Sequence, residues 1–134
     1  MGILSGNPKD EPMHYGEVYG LFTHLSLAKA ALDGYQLYLN HTGDKDLRKF
    51  IEGVIQNSIK PSIEEMEKIL VANDIAIPPT PAERPSVDLE QIPVGARMQD
   101  VQVAYAISRD IATGLTTMAT LIGQCIREDI AMML

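Results

Sequence analysis

The stretch from about Ile75 to Gln99, IAIPPTPAERPSVDLEQIPVGARMQ, carries five of the chain's eight prolines and lies between two long segments of helical periodicity. Connections between neighbouring helices in a bundle usually take about 2–8 residues, which forces those helices antiparallel. This one has about 25 residues, and even part of it in an extended or polyproline conformation spans ~40 Å at roughly 3 Å per residue. A helix of ~28 residues, rising about 1.5 Å per residue, has the same length. The segment can therefore run the whole length of a bundle and start the next helix at the end where the previous one began. One long crossover of that kind marks the ferritin-like four-helix topology. The expected fold is all-α, a ferritin-like bundle with a Pro-rich crossover at about 75–99 between its second and third helices.

At 134 residues the chain is expected to form one domain, 1–134, long enough to bury a core. Apolar residues make up 46% but aromatics only 5%, without Trp, so that core must be aliphatic, built from Leu, Ile, Val, Ala and the seven Met. The net charge of −7 comes from mixed acids and bases rather than blocks. Phosphate neutralisation needs clustered Lys and Arg, so neither nucleic acid nor an anionic lipid surface is expected as a partner. The opening MGILSGNPKDEPMHYGEV has no positive n-region and no adequate apolar run, so no signal peptide is expected. Gly2 and Ser5 do not make a myristoylation signal, because the pattern wants Ser or Thr where Gly6 stands. No uninterrupted apolar stretch is long enough for a membrane span. The single Cys125 rules out an intramolecular disulfide and a multi-cysteine zinc site. A cytosolic location is the plain expectation.

The first helix is expected over about 13–40. Val18, Leu21, Leu25, Ala28, Leu32, Tyr35 and Leu39 recur at three and four and share one face. Gly43 suits a left-handed stop, and Asp44 suits the N-cap of a second helix over about 45–73. Leu47, Ile51, Val54, Ile55, Ile59, Ile63, Met66 and Ile69 line that helix, with a kink or break expected between Asn57 and Lys60. Pro61 removes one backbone hydrogen bond there, and its ring crowds the Asn57 carbonyl. A third helix over about 100–122 takes Asp100 as its cap, Val103, Ile107, Ile111, Met118 and Leu121 as its apolar face, and Gly123 as its stop.

GQCIREDIAMML follows. Cys125 stands where a weak N-cap would fall, with Glu128 three residues on, which suggests the first turns of a fourth helix over about 126–134. Some nine residues make only ~13 Å of helix against grooves of ~40 Å. The fourth helix therefore reads as truncated, unless the third helix runs straight through. Either way an apolar groove is left that needs a partner, and a homodimer or higher homo-oligomer is expected.

His14, Glu17, Leu21, His24 and Ala28 are spaced three, four, three and four apart, so Glu17 and His24 point the same way beside the apolar stripe. Helical phase puts Glu65 and Asp110 inward or at the border of the core. Carboxylates and histidines converging inside a bundle are what an iron or manganese pair needs, with zinc the other candidate ion. On this reading the metal residues are Glu17, His24, Glu65 and Asp110. The competing reading is structural, with no cofactor. The usual di-metal bundle carries a Glu-x-x-His on each of two helices, and here Glu11-x-x-His14 falls at or before the start of helix one. Glu17 and His24 then bond to a tyrosine or other polar group across the bundle. His41 caps a helix C-terminus, while Glu52, Glu64 and Lys68 form a solvated face. Cys125 has no motif-placed orienting partner and reads as a buried thiol. The chain has neither a phosphate loop nor a Gly-x-Ser-x-Gly elbow.

LSGNPKDEPMHYGEV, the turn LNHTGDKDL, the crossover IPPTPAERP…IPVGARMQD and the stretch IGQCIREDIAMM occur here in that order. Together they resemble an uncharacterised ferritin-like family of endospore-forming bacteria whose members are labelled spore coat or coat-protein-F-like proteins. The resemblance covers essentially the whole chain. It implies a ferritin-like bundle, a spore-associated structural or interaction role without catalysis, and other spore coat proteins as partners. Family members continue for the rest of another helix, which carries a His, whereas this sequence stops at Leu134. The alternative within the same fold is a metal-binding bundle with an oxidase or storage role, and fold alone does not decide between them.

Overall fold

A computed structural model describes residues 11–134. Expectations about residues 1–10, including the opening Met-Gly and the first part of the LSGNPKDEPMHYGEV motif, lie outside the described residues. The chain is all-helical. In order come α1 (Tyr15–His41), α2 (Lys45–Val54), a π turn (Ile55–Ile59), α3 (Lys60–Ala72), 3-10 turns at Leu89–Gln91 and Val94–Ala96, α4 (Asp100–Gln124) and α5 (Glu128–Met133).

His14 caps α1. Its Nδ1 accepts the Gly16 amide at 3.0 Å, while Glu17 Oε1 accepts the His14 amide at 3.1 Å, so two orphan amides of the first turn are satisfied reciprocally. The apolar stripe of α1 then turns inward at Leu21, Leu25, Tyr35 and Leu39. The helix ends differently from the expectation. Thr42 leaves it in extended conformation, so no left-handed glycine is needed. Nor does a close approach require Gly43: a Cβ there would meet Leu89 Cδ2 at 3.4 Å, an ordinary contact. Asp100 is likewise not the cap of its own helix. Gln99 and Gln102 form that capping box, and the Asp100 carboxylate accepts the amides of Gly43 (2.9 Å) and Asp44 (3.1 Å). Asp100 thus ties the start of α4 to the turn that starts α2.

Asp44 caps α2, its Oδ1 accepting the Leu47 amide at 2.8 Å. Pro61 sits in the first turn of α3, with no amide to offer the preceding turn. The helix absorbs this by widening: the Lys60 amide bonds to the Ile55 carbonyl, and Ile55–Ile59 forms the π turn. The expected break is therefore a bulge in a continuous rod. At its far end Asp74 adopts φ 59°, the Ile75 amide reaches Leu70 O at 2.9 Å and the Asp74 amide reaches Val71 O at 3.1 Å. That is a Schellman stop made by a non-glycine residue, with Ile75 packed over the cluster that contains Leu70.

The apolar residues gather in two clusters along the rod. Tyr35, Leu39, Ile51, Ile55, Val103 and Ile107 join the end of α1 to α2 and the start of α4. Leu21, Leu25, Met66, Leu70 and Leu121 join the start of α1 to α3 and the end of α4. Hence α4 runs parallel to α2 and α3, and antiparallel to α1. Only a connection as long as the bundle permits that. The crossover lies along α1, held at rising positions: Lys29 to Pro78 O and Thr80, Asp33 to Arg84, Asn40 to Pro85 O and the Val87 amide, and His41 to the Met98 amide. His41, read from sequence as a helix-end cap, is therefore buried and accepts an amide from the crossover.

The last residues correct three expectations. Gly123 lies within α4, Cys125 is the residue on which α4 ends, and Arg127 precedes α5. The third helix does not run straight on: α5 turns back and buries Ile130, while Met133 and Leu134 pack on the cluster of Leu21 and Met66.

Candidate functional site

At the α1 start, the Glu17 carboxylate is fully buried. Oε2 accepts the amides of Ile126 (3.0 Å) and Arg127 (2.8 Å), and Oε1 accepts that of His14. Its partners across the bundle are backbone amides, polar groups other than a tyrosine. Beside it the buried Arg127 guanidinium donates to both oxygens of Asp129 (3.0 and 2.7 Å), to Asn73 Oδ1 (2.9 Å) and to Glu11 O (3.1 Å). The Asp129 hydrogen bonds raise the Arg127 pKa, and Arg127 in turn holds the Asp129 carboxyl below its ordinary value. This network clasps the α4–α5 turn to α1 and to the end of α3.

His24 is buried on α1, and burial lowers its imidazole pKa. Its Nδ1 is the buried side-chain nitrogen or oxygen without a hydrogen-bond partner among the described residues. Glu65 is exposed on α3 rather than inward, yet lines the same small cavity as His24. Asp110 lies at the border of the other cluster, where Tyr38 Oη donates to it at 3.4 Å and Arg109 stands 3.7 Å away. Burial, reinforced by the Asp110 charge, pushes the Tyr35 phenol up to about 12.

Of the four candidate ligands the structure brings His24 and Glu65 to one cavity. Glu17 is committed to three amides at the end of the bundle, and Asp110 is engaged with Tyr38. Among the described residues no group of three or more His, Cys, Asp or Glu could hold a metal ion. The carboxylate-rich di-metal centre that a ferritin-like resemblance implies does not fit this arrangement. Cys125 is no better placed for chemistry. Its thiol donates to Leu121 O at 3.2 Å, and burial, with Glu17 and Asp129 nearby, pushes its pKa up.

Sequence reading missed two buried cations. Lys29 Nζ bonds Glu67 (2.7 Å), Pro78 O (2.7 Å) and Thr80 Oγ1 (3.0 Å), which uses all three of its protons. It borders a crevice of about 310 Å³ under the crossover, where Arg84 and Asp33 pair bidentately at 3.0 and 2.8 Å. Lys29 is saturated by protein groups, and four of the five N–H donors of Arg127 are bonded to protein oxygens. Lys29 stands four residues after Leu25 on the apolar face of α1, and that position was the available signal. Arg127 had none, because no periodicity precedes a helix of six residues.

A surface feature also escaped notice. On α4, Val101, Tyr105, Leu115 and Ile122 are exposed, with Ser108, Ala112 and Ala119 between them at alternating steps of four and three. That is the spacing of a seam along which a second helix packs. It is separate from the face of Val103, Ile107 and Leu121 that α4 turns to its own core. Tyr15 and Tyr19 are exposed near the start of α1, where α1 and α4 lie so close that a Cβ on Gly20 would meet Leu121 Cδ1 at 2.4 Å.

Residues 1–134 match the model of a family described as "Protein of unknown function (DUF3231)". The chain belongs to the DUF3231 family. A relative in Bacillus subtilis strain 168, named uncharacterized protein YvdQ, is 47% identical over 133 residues, covering 99% of this chain and 78% of its own length. A solved structure from Bacillus halodurans C-125, described as a "putative spore coat protein", is 45% identical with a TM-score of 0.91, covering 95% of this chain and 79% of its own. No helix among the described residues of this DUF3231 chain is long and apolar enough to cross a membrane.

Proposed function

We propose that this DUF3231 chain is a non-enzymatic, spore-associated interaction protein that self-associates along α4. The observation that carries the spore association is the likeness to the Bacillus halodurans structure, close in both sequence and fold. A non-catalytic role is supported by the site chemistry. The buried charged groups Glu17, Lys29 and Arg127 are occupied in holding turns and the crossover, and the lone thiol is deactivated. Self-association is supported by the exposed seam of α4, which has the spacing a partner helix requires. The partner is a second copy in the simplest case, with other spore proteins able to join the assembly.

The test is immunodetection in an endospore-forming host, comparing vegetative lysate, mother-cell fraction and coat extracts of purified spores. The protein should appear with sporulation and partition with the coat extract. Constant abundance in vegetative cells, with none in spores, would remove the spore association.

A further inference from the structure

Beside His24 lies a cavity of about 20 Å³, lined by Ser62, Glu65, Met66, Met118, Met133 and Leu134. Such a volume accommodates about one water-sized particle. The ligand chemistry of its walls is unusual for a bundle core. The imidazole comes from α1, and one thioether comes from each of α3, α4 and α5. A neutral imidazole carrying its proton on Nε2 leaves a lone pair on Nδ1, and that nitrogen is buried without a partner. A buried acceptor left unmade is costly, so such an atom calls for an explanation.

We propose that His24, Met66, Met118 and Met133 form a binding site for one Cu(I) ion. The reasons are chemical. Thioethers are soft, uncharged donors that select Cu(I), whereas magnesium, calcium, manganese and ferric iron favour oxygen-rich sets, and the side chains of these walls offer only the Ser62 hydroxyl and the exposed Glu65 carboxylate. Zinc is usually held by thiolate, imidazole or carboxylate in a tetrahedral set, and here one imidazole and one exposed carboxylate are available. A monovalent ion needs a single compensating charge, which Glu65 at the rim supplies. Methionine side chains have three rotatable bonds, so they can close on an ion without moving the helices that carry them. Binding involves no change in oxidation state.

The experiment is an anaerobic titration of chelator-stripped protein with Cu(I), using bathocuproine disulfonate as the competing probe. One Cu(I) per chain should be withdrawn from the probe. Met66→Leu and Met118→Leu, which keep volume, should each weaken binding at least tenfold while preserving the helical circular dichroism. Cys125→Ser should bind as the parent does, because the thiol is not part of the site. X-ray absorption on the loaded parent protein should show sulfur and nitrogen neighbours, and this readout needs no variant. The proposal is overturned if the protein takes no Cu(I) from the probe, leaving the cavity to water. It is equally overturned if binding vanishes in Cys125→Ser, or if the absorption spectrum shows oxygen neighbours only.

Discussion

Glu17 in the first turn of α1 accepts the backbone amide of Arg127 at 2.8 Å, across 110 positions of sequence. The same carboxylate closes the capping box of α1 and holds the turn that launches α5. One buried side chain thereby sets two helix starts against each other. Its role as an acceptor of three amides explains how a carboxylate resides in the core.

Replacing Glu17 tests that account. In Glu17→Gln one oxygen becomes an amide NH2 group, a donor that faces an N–H donor, leaving buried groups unpaired. The loss should be about 1–3 kcal/mol in chemical denaturation, with Glu17→Ala costing more. A Glu17→Gln variant as stable as the parent would show that the amides find other partners.

Lys29 should matter as much at the middle of α1. Its ammonium group is fully buried against Glu67 and two crossover oxygens. Lys29→Ala should cost about 3 kcal/mol, since it breaks a largely buried pair. The crossover near Pro78 and Thr80 should also become sensitive to limited proteolysis. Cleavage unchanged from the parent would mean that other anchors suffice.

His24 gives a pH dependence with a definite sign. Its folded-state pKa lies below the ordinary 6.5 because burial disfavours the imidazolium. The unfolded chain therefore binds more protons as pH falls below that value, and stability is lost between there and the folded-state pKa. The stabilisation from Asp33 and Asp129, whose pKa values are held below 3.8, is present above that value and is lost as pH falls through it, below the His24 window. Unfolding free energy should fall from neutral to mildly acidic pH, and His24→Asn should flatten that slope. An equally steep slope in the variant would assign the effect to other groups.

Asp74 occupies left-handed backbone space at φ 59°. Glycine visits that region without the steric penalty of a Cβ, so Asp74→Gly should leave stability unchanged or raise it by up to ~1 kcal/mol. Asp74→Val, which is β-branched, should lower it by more than ~1 kcal/mol. Thermal denaturation of the two variants side by side should show a lowered midpoint for Asp74→Val and an unchanged or raised one for Asp74→Gly. Shifts in the same direction would mean that the Asp74 side chain, rather than its backbone, sets the stop.

Much of the architecture was legible because it rests on local signals. Leu21, Leu25, Tyr35 and Leu39 recur at helical spacing, and the prolines of the crossover announce an extended run of known reach. Pro61 announced a disruption, though not that a π turn would absorb it. The caps were less legible. Asp100 has the right chemistry for a cap and sits next to a helix start, but its carboxylate is satisfied by the amides of a turn more than fifty positions earlier. Lys29 was missed because the oxygens that offset its burial lie distant in sequence, and Arg127 because Asn73 and the Glu11 carbonyl join the nearby Asp129 around it only in the fold. Glu17 and His24 do lie on the inward side of α1, but only the fold shows one saturated and the other unpartnered. The seam on α4 was readable in principle. It went unread because attention to Val103, Ile107 and Leu121 assigned that helix a single apolar face.

The account's central claim is that this fold serves assembly through α4, and light scattering after size exclusion tests it most directly. The parent chain, whose monomer is 14.7 kDa, should elute with about twice that mass at micromolar concentration. Leu115→Glu, which puts a charge in the exposed seam without touching the core, should return it to monomer with unchanged helical content. A parent protein that stays monomeric from micromolar to near-millimolar concentration would contradict the claim. So would a dimer that Leu115→Glu and Tyr105→Glu leave intact.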